Sequence, residues 1–442
     1  MRRVFLATTT LIGAALIASA ASAQTAGPKA PFTAILDGEA NGNIGILSGT
    51  QNSGTNGGHQ RDFGMDQNAW MRFFFQTKAD NGLTYGWNVR IFGTSSTITV
   101  NGLSNDREGI FFRHDAWGTL SLGDDTATGK NGFPEVKADW GPPTSSQSYL
   151  GPDGKLEGTF LKNTDTRAFT IFNSFIKLGS DDGFPSGRAM HIWYGTPTFA
   201  GFSANMDFTP DGRSRNEEQF VTDTLANTPG TNNALSQSLS ETNFQNVFSL
   251  NVQYKGSLGP VAVGTGFQYA HAQSKNAFGL AGGTEFSNQT FNDVNSWETG
   301  VVLNYAGFQF GVQYNWYGDS AYPHHQTGGN TIIGGAVDTW GWSTGLEYFM
   351  GPWVVGGYYW YGKAPGTFQW APVGTAPIPG GNGSFEFNYY AAGIGYTVAP
   401  GLKFYGELFY YNDWNTHVVS AASNSGRNPH GQIYIFGTSL SW

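Results

Sequence analysis

Apolar and polar residues alternate along this chain with a period of two, and the sense of the alternation carries from one segment to the next. Leu83, Tyr85, Trp87, Val89 and Ile91 hold odd positions, with Thr84, Asn88 and Arg90 between them. Phe308, Phe310, Val312, Tyr314 and Trp316 repeat the pattern around Gln309, Gln313 and Asn315, and Trp340, Trp342, Thr344, Leu346 and Tyr348 repeat it around Ser343 and Glu347. Successive side chains of a strand point to opposite faces, so each segment predicts a strand with one apolar and one polar face. The chain ends inside such a segment: Tyr434, Phe436, Thr438, Leu440 and Trp442 share one face, and Gly437, Ser439 and Ser441 the other. One strand of this kind suits a soluble sandwich as well as a barrel wall. Many at regular spacing favour a closed sheet with lipid outside and water inside.

The connections alternate as well. Short turns are legible at Asp80-Asn81-Gly82, Trp117-Gly118, Pro197 to Gly201, Gly256 to Pro260, Ala306-Gly307, Gly351-Pro352 and Pro400-Gly401, where Gly and Pro supply the dihedrals a tight reversal needs. Between them lie long polar stretches at 48–66, 94–106, 124–187, 210–245, 272–294, 318–337, 363–384 and 414–429. Seven turns and eight loops predict about sixteen antiparallel strands with both termini on the short-turn side. Segments such as 67–79, 83–93, 295–305, 307–316, 385–398 and 401–412 have the length of a tilted membrane strand. A barrel of sixteen to eighteen strands leaves an aqueous lumen.

Composition narrows the class. Aromatic residues make up 15% and charged residues only 12%, Gly occurs 63 times and Cys not at all, so a disulfide framework and thiolate chemistry are excluded. After Gln24 no apolar run is long enough for a membrane helix. Before it, Arg2 and Arg3, an apolar run from Val4 to about Ala18, and Ala21-Ser22-Ala23 have the order of a secretory signal. Residues 1–23 are therefore expected to be cleaved, an uncleaved membrane helix being the competing reading. The mature chain would keep 21 basic against 32 acidic side chains, a net charge of −11, and offers no basic face to nucleic acid.

Asp80-Asn81-Gly82-Leu83-Thr84-Tyr85-Gly86, Trp117 to Asp124, Tyr194 to Phe202, Gly345-Leu346-Glu347-Tyr348 with Gly351-Pro352-Trp353, and the terminal aromatic strand resemble the trimeric general porins of alphaproteobacteria. Trp at the last position, where Phe is commoner, and the loop sequences depart from that pattern. The resemblance implies a homotrimer of sixteen-stranded outer-membrane barrels, a third loop folded into each lumen, no enzymatic activity, and passive diffusion of small hydrophilic solutes and ions. Implied partners are outer-membrane lipid, lipopolysaccharide, and the barrel-assembly machinery acting on Tyr434, Phe436, Leu440 and Trp442, with export through the Sec pathway.

The residues themselves point to the same loop. Residues 124–187 form the longest interval without a paired strand, and Phe133, Trp140, Tyr149, Leu150, Phe160, Phe169, Phe172 and Phe175 within it are expected to anchor it; loops of such length are usually functional or disordered. Expected constriction charges are Asp125, Glu135, Asp139, Asp153, Glu157 and Asp165 from the loop, and Arg72, Arg90, Arg113 and Lys403 from inward strand positions, with Glu298, Glu347 and Glu407 facing them. Opposed charges across a narrow polar pore create a transverse field that tunes ion preference, and the acid excess favours cations. Loop salt bridges are the plainer reading of any single charge. Asp124, Asp125, Asp181 and Asp182 are candidate Ca²⁺ ligands, with solvated carboxylates the alternative; no other cofactor is expected. His324-His325 are too few for a transition-metal site.

Trp70, Trp297, Trp316, Trp340, Trp353, Tyr410 and Tyr411 are expected in interfacial girdles. Of the eight histidines, only His191 reads as mid-strand, and no Ser or acid completes a hydrolase site around it. A sugar-selective channel and a closed structural barrel remain the rival functions.

Overall fold

The computed structural model describes residues 32–50, 63–94, 103–123, 190–211, 244–274, 292–320, 338–365, 384–415 and 430–442. The expected signal segment 1–23 and the whole of the loop 124–187 lie outside them. Sixteen antiparallel strands follow one another in sequence and close on themselves, β1 pairing with β16. They are β1 Thr33–Thr50, β2 Phe63–Lys78, β3 Thr84–Thr94, β4 Leu103–His114, β5 Gly118–Gly123, β6 His191–Gly195, β7 Phe202–Asp211 and β8 Phe244–Leu258. The second half comprises β9 Val261–Ser274, β10 Val294–Tyr305, β11 Phe308–Gly318, β12 Thr339–Met350, β13 Trp353–Pro365, β14 Ser384–Ala399, β15 Leu402–Asn415 and β16 His430–Ser441. No strand is left as an edge, so every backbone ladder can be completed without water, as a lipid-embedded sheet requires.

The expected plan of seven short and eight long connections is the observed one. Several strands overrun the expected length, β1 reaching 18 residues and β2 16. β5 and β6, which flank the longest connection, have only 6 and 5. Each of the seven short connections holds, or is directly followed by, a glycine with φ between 59° and 88°. In Gly259-Pro260 and Gly351-Pro352 the glycine takes the positive-φ first position of a two-residue hairpin, and proline follows with its fixed negative φ. At Ala306-Gly307 an alanine is held at φ 50°, a strained conformation for a residue with a Cβ.

Alternation decides what each face meets. Phe308, Phe310 and Val312 are exposed on the outer face of β11, while Asn315 is buried on the inner face. On β3, Tyr85 and Trp87 are exposed outside, and Asn88 and Arg90 buried inside. Outer aromatics contact one another from strand to strand: Trp297 lies against Phe267, Tyr314 and Trp316, Trp340 against Tyr314 and Tyr361, and Trp353 against Tyr396. Trp70 and Tyr411 depart from the girdle expectation, because both share the inner face. Trp70 lies two residues from inward Arg72, and Tyr411 is fully buried.

The seam is closed by the last residue. Backbone N–H groups of Gly38 and Trp442 each donate to the other's carbonyl, at 3.3 and 3.2 Å. The Trp442 indole covers Gly38 so closely that a Cβ there would meet its ring at 2.5 Å. Inside, the Tyr405 hydroxyl donates to Asn43 Oδ1 across Gly437, tying β15 to β1 over the closing strand. Both pairings set an aromatic ring over a glycine that leaves it room, a device that pins strand register.

Candidate functional site: the inner wall of the barrel

The inner wall is polar and charged over much of its circumference. Among the expected cations, Arg72 on β2 and Arg90 on β3 are direct cross-strand partners. Two like charges side by side repel, and the wall offsets this with aromatic faces and a carboxylate. The Arg72 guanidinium lies 5.9 Å from the Trp70 ring centroid and 5.7 Å from that of Phe74, and Arg90 lies 5.7 Å from Trp70. Trp70 therefore sits against both cations, within the range at which a ring face attracts charge. Asp37 on β1 is the cross-strand partner of Arg72. Arg113, over Phe111 at 5.6 Å, is one residue from the end of β4, and Lys403 is one residue from the start of β15. Both lie at the short-turn rim, so the structure brings together Arg72 and Arg90 and sets the other two apart.

The expected carboxylates Glu298, Glu347 and Glu407 are all buried on the inner face of β10, β12 and β15. Glu298 accepts a hydrogen bond from Gln313 Nε2, which fixes its position on the wall. Glu39, whose Oε1 accepts from Asn41 Nδ2 at 2.8 Å, and Asp207, which accepts from the Ser249 hydroxyl, are further inward carboxylates that sequence reasoning passed over. Alternation with neighbouring inward residues would have found both. Asp125, Glu135, Asp139, Asp153, Glu157 and Asp165 lie outside the described residues, as do the Ca²⁺ candidates Asp124, Asp125, Asp181 and Asp182. Among the described residues no group of three or more His, Asp or Glu is arranged to hold a metal.

A second wall has different chemistry. Tyr358, Trp360, Tyr389, Phe409, Tyr411, Ile433 and Ile435 are buried on the inner face of β13–β16. Their rings form a chain, Trp360 to Tyr389 at 5.3 Å, Tyr389 to Phe409 at 5.3 Å and Phe409 to Tyr411 at 6.5 Å. His191 opens β6, and it is not alone in a strand, since His114, His271 and His430 lie within β4, β9 and β16. His271 engages Asn295 on the outer face, Nδ1 lying 3.0 Å from its Oδ1.

A closed, even-stranded barrel with an apolar exterior and buried charge along its interior defines a transmembrane β-barrel channel. Residues 7–416 match the family model described as Gram-negative porin, and the chain belongs to that family. Its location is the outer membrane, and its family and fold are those of a channel rather than an enzyme. Among solved structures it is similar to OmpT, an outer-membrane protein of Vibrio cholerae, with 11% identity, a TM-score of 0.52, and 95% of this chain and 100% of that one covered. The trimer form of the same protein aligns at 10% identity and a TM-score of 0.51, over 93% of this chain and 100% of that one. A variant of the Rh. blastica porin aligns at 13% identity and a TM-score of 0.47, over 93% and 100%. No curated protein matches the sequence.

Proposed function

We propose that the porin works as a homotrimer of open channels through which small hydrophilic solutes and ions move down their gradients, sorted by size and by the charge of the inner wall. The observation that carries this reading is the fixed charge of both signs along the inner wall. Arg72 and Arg90 are partners on β2–β3, and Glu298, Glu347 and Glu407 are buried on β10, β12 and β15. Fixed charges of both signs on a polar wall set up a field in the lumen that orders water, disfavours apolar solutes and tunes ion preference.

In this reading the 124–187 segment narrows the lumen, and its carboxylates Asp125, Glu135, Asp139, Asp153, Glu157 and Asp165 tip the balance toward cations. Residues 1–23 direct export through the Sec pathway and are removed. The strand carrying Tyr434, Phe436, Leu440 and Trp442 is presented to the assembly machinery, and lipid and lipopolysaccharide surround the outer belt. The trimer is supported by the family and by the trimer form of the similar Vibrio cholerae barrel.

Conductance of the purified protein in planar bilayers tests this reading. Stepwise openings in threes, with a linear current–voltage relation and a cation-favouring reversal potential in a salt gradient, are expected. A silent protein overturns the channel reading. Neutralising Glu135 and Asp139 together lowers cation selectivity; an unchanged reversal potential places them away from the constriction.

A further inference from the structure

The inner wall of β6–β11 carries two adjacent rows of side chains fixed by strand register. In the first row Trp193, Asp207, Ser249, Ala270 and Ser296 are successive cross-strand partners. In the second, Gly195, Asn205, Asn251, Gln268, Glu298 and Asn315 follow one another in the same way. Neither row contains a lysine or an arginine. Neighbouring strands stand about 4.8 Å apart and the rows about 7 Å apart along the strands, so polar groups recur in a regular grid along the wall.

Three features of these rows ask for a ligand. Asn251 and Ser296 are completely buried, yet neither amide atom of Asn251 nor the Ser296 hydroxyl has a hydrogen-bond partner among the described residues. Buried polar atoms are nearly always satisfied, and each unmet one costs about 1–3 kcal/mol. The indole of Trp193 lies close against Gly195: a Cβ on that glycine would meet the ring at 2.6 Å and Asn205 Oδ1 at 2.8 Å. The ring is only half-buried, and its Nε1 has no hydrogen-bond partner among the described residues. The nearby carboxylates are held in place, Asp207 by Ser249 and Glu298 by Gln313.

An apolar platform beside amides and oriented carboxylates, with no cation among them, suits one chemical class. We propose that this wall is a binding track for neutral saccharides, whose C–H face rests on Trp193 while their hydroxyls bond to Asp207, Asn205 and Asn251. A hydroxyl both donates and accepts, which matches the mixed unmet capacity of Asn251 and Ser296. An anion of similar size meets Asp207 and Glu298 and is repelled. The track deepens the channel reading, on which it rests, by giving the lumen a preferred solute on one side.

The experiment uses maltotriose as probe on the full-length trimer, measured by block of ion current and by titration calorimetry on the detergent-folded protein. Wild type is expected to show saturable block and saturable heat, and gluconate neither. Trp193→Ala and Asn251→Leu each raise the half-blocking concentration at least about tenfold with salt conductance retained. Trp193→Phe, which keeps a stacking face, brings it back to within about threefold. Val252→Ala, on the outer face, leaves block unchanged. Conduction without sugar block or heat overturns the track and leaves the channel reading standing, as does normal block in Trp193→Ala. A silent channel overturns the channel reading, and calorimetry then still decides the track: saturable heat lost in Trp193→Ala supports it, and absence of heat in wild type rejects it.

Discussion

The inner faces of β7–β10 and β13–β16 belong to one barrel and have the same alternation, yet they differ in what they bury. The first carries Asn205, Asp207, Ser249, Asn251, Gln268, Ser296 and Glu298; the second carries Tyr358, Trp360, Tyr389, Phe409, Tyr411, Ile433 and Ile435. The outer face is constrained uniformly, because lipid on every side demands apolar side chains. The inner face has no such uniform constraint, so one sector can bury aromatic and aliphatic side chains and another polar ones. The aromatic sector rigidifies the wall next to the β1–β16 seam, and the polar sector is left to interact with solutes.

That difference predicts unequal costs for equivalent truncations. Phe409→Ala, which removes a fully buried ring from the chain of Tyr389 and Tyr411, is expected to cost about 3–5 kcal/mol, read from the urea midpoint of refolded protein in lipid. A loss below about 1 kcal/mol would mean the aromatic sector is not a packed core. Deleting Trp442 removes both a mutual backbone pairing with Gly38 and the ring that covers it. The yield of assembled barrel is expected to fall several-fold on heat-modifiability gels, and normal yield would detach the seam from the terminal residue. In the charged part of the wall, Arg72→Gln with Arg90→Gln shifts the reversal potential toward cations without loss of folding. An unchanged reversal potential would show that these guanidinium groups do not face the permeating ions.

Smaller effects sharpen the contrast. Asn251→Leu replaces an unpartnered buried amide with an apolar group of similar size, and stability is expected to stay within about 1 kcal/mol of wild type. A loss as large as that of Phe409→Ala would erase the distinction between the two sectors. Ala306→Gly relieves the positive-φ alanine and is expected to stabilise by about 0.5–1 kcal/mol; destabilisation would show that unfolded-chain entropy outweighs the strain.

The strand count, the order of connections and the lipid-facing residues were all legible in the sequence. Period-two alternation and Gly at each short turn are local signals, and a turn such as Ala306-Gly307 needs nothing distant to define it. The inward position of Arg72, Arg90, Glu298, Glu347 and Glu407 followed from the same parity. Trp70 and Tyr411 were misplaced because strand-end aromatics suggest a girdle, although parity with Arg72 and Phe409 already put them inside. The rows of the polar sector were not legible, since they depend on which residue of one strand stands beside which residue of the next.

The sequence by itself determined that this chain forms a sixteen-stranded barrel with a polar inside and an apolar outside, because alternation and turn chemistry act over a few residues. Only the tertiary structure decided that Arg72 stands beside Arg90, that Trp193 lies against Gly195 next to Asn205, and that Trp442 closes on Gly38. Those neighbours are set by register and closure, which couple residues as far apart as the two ends of the chain.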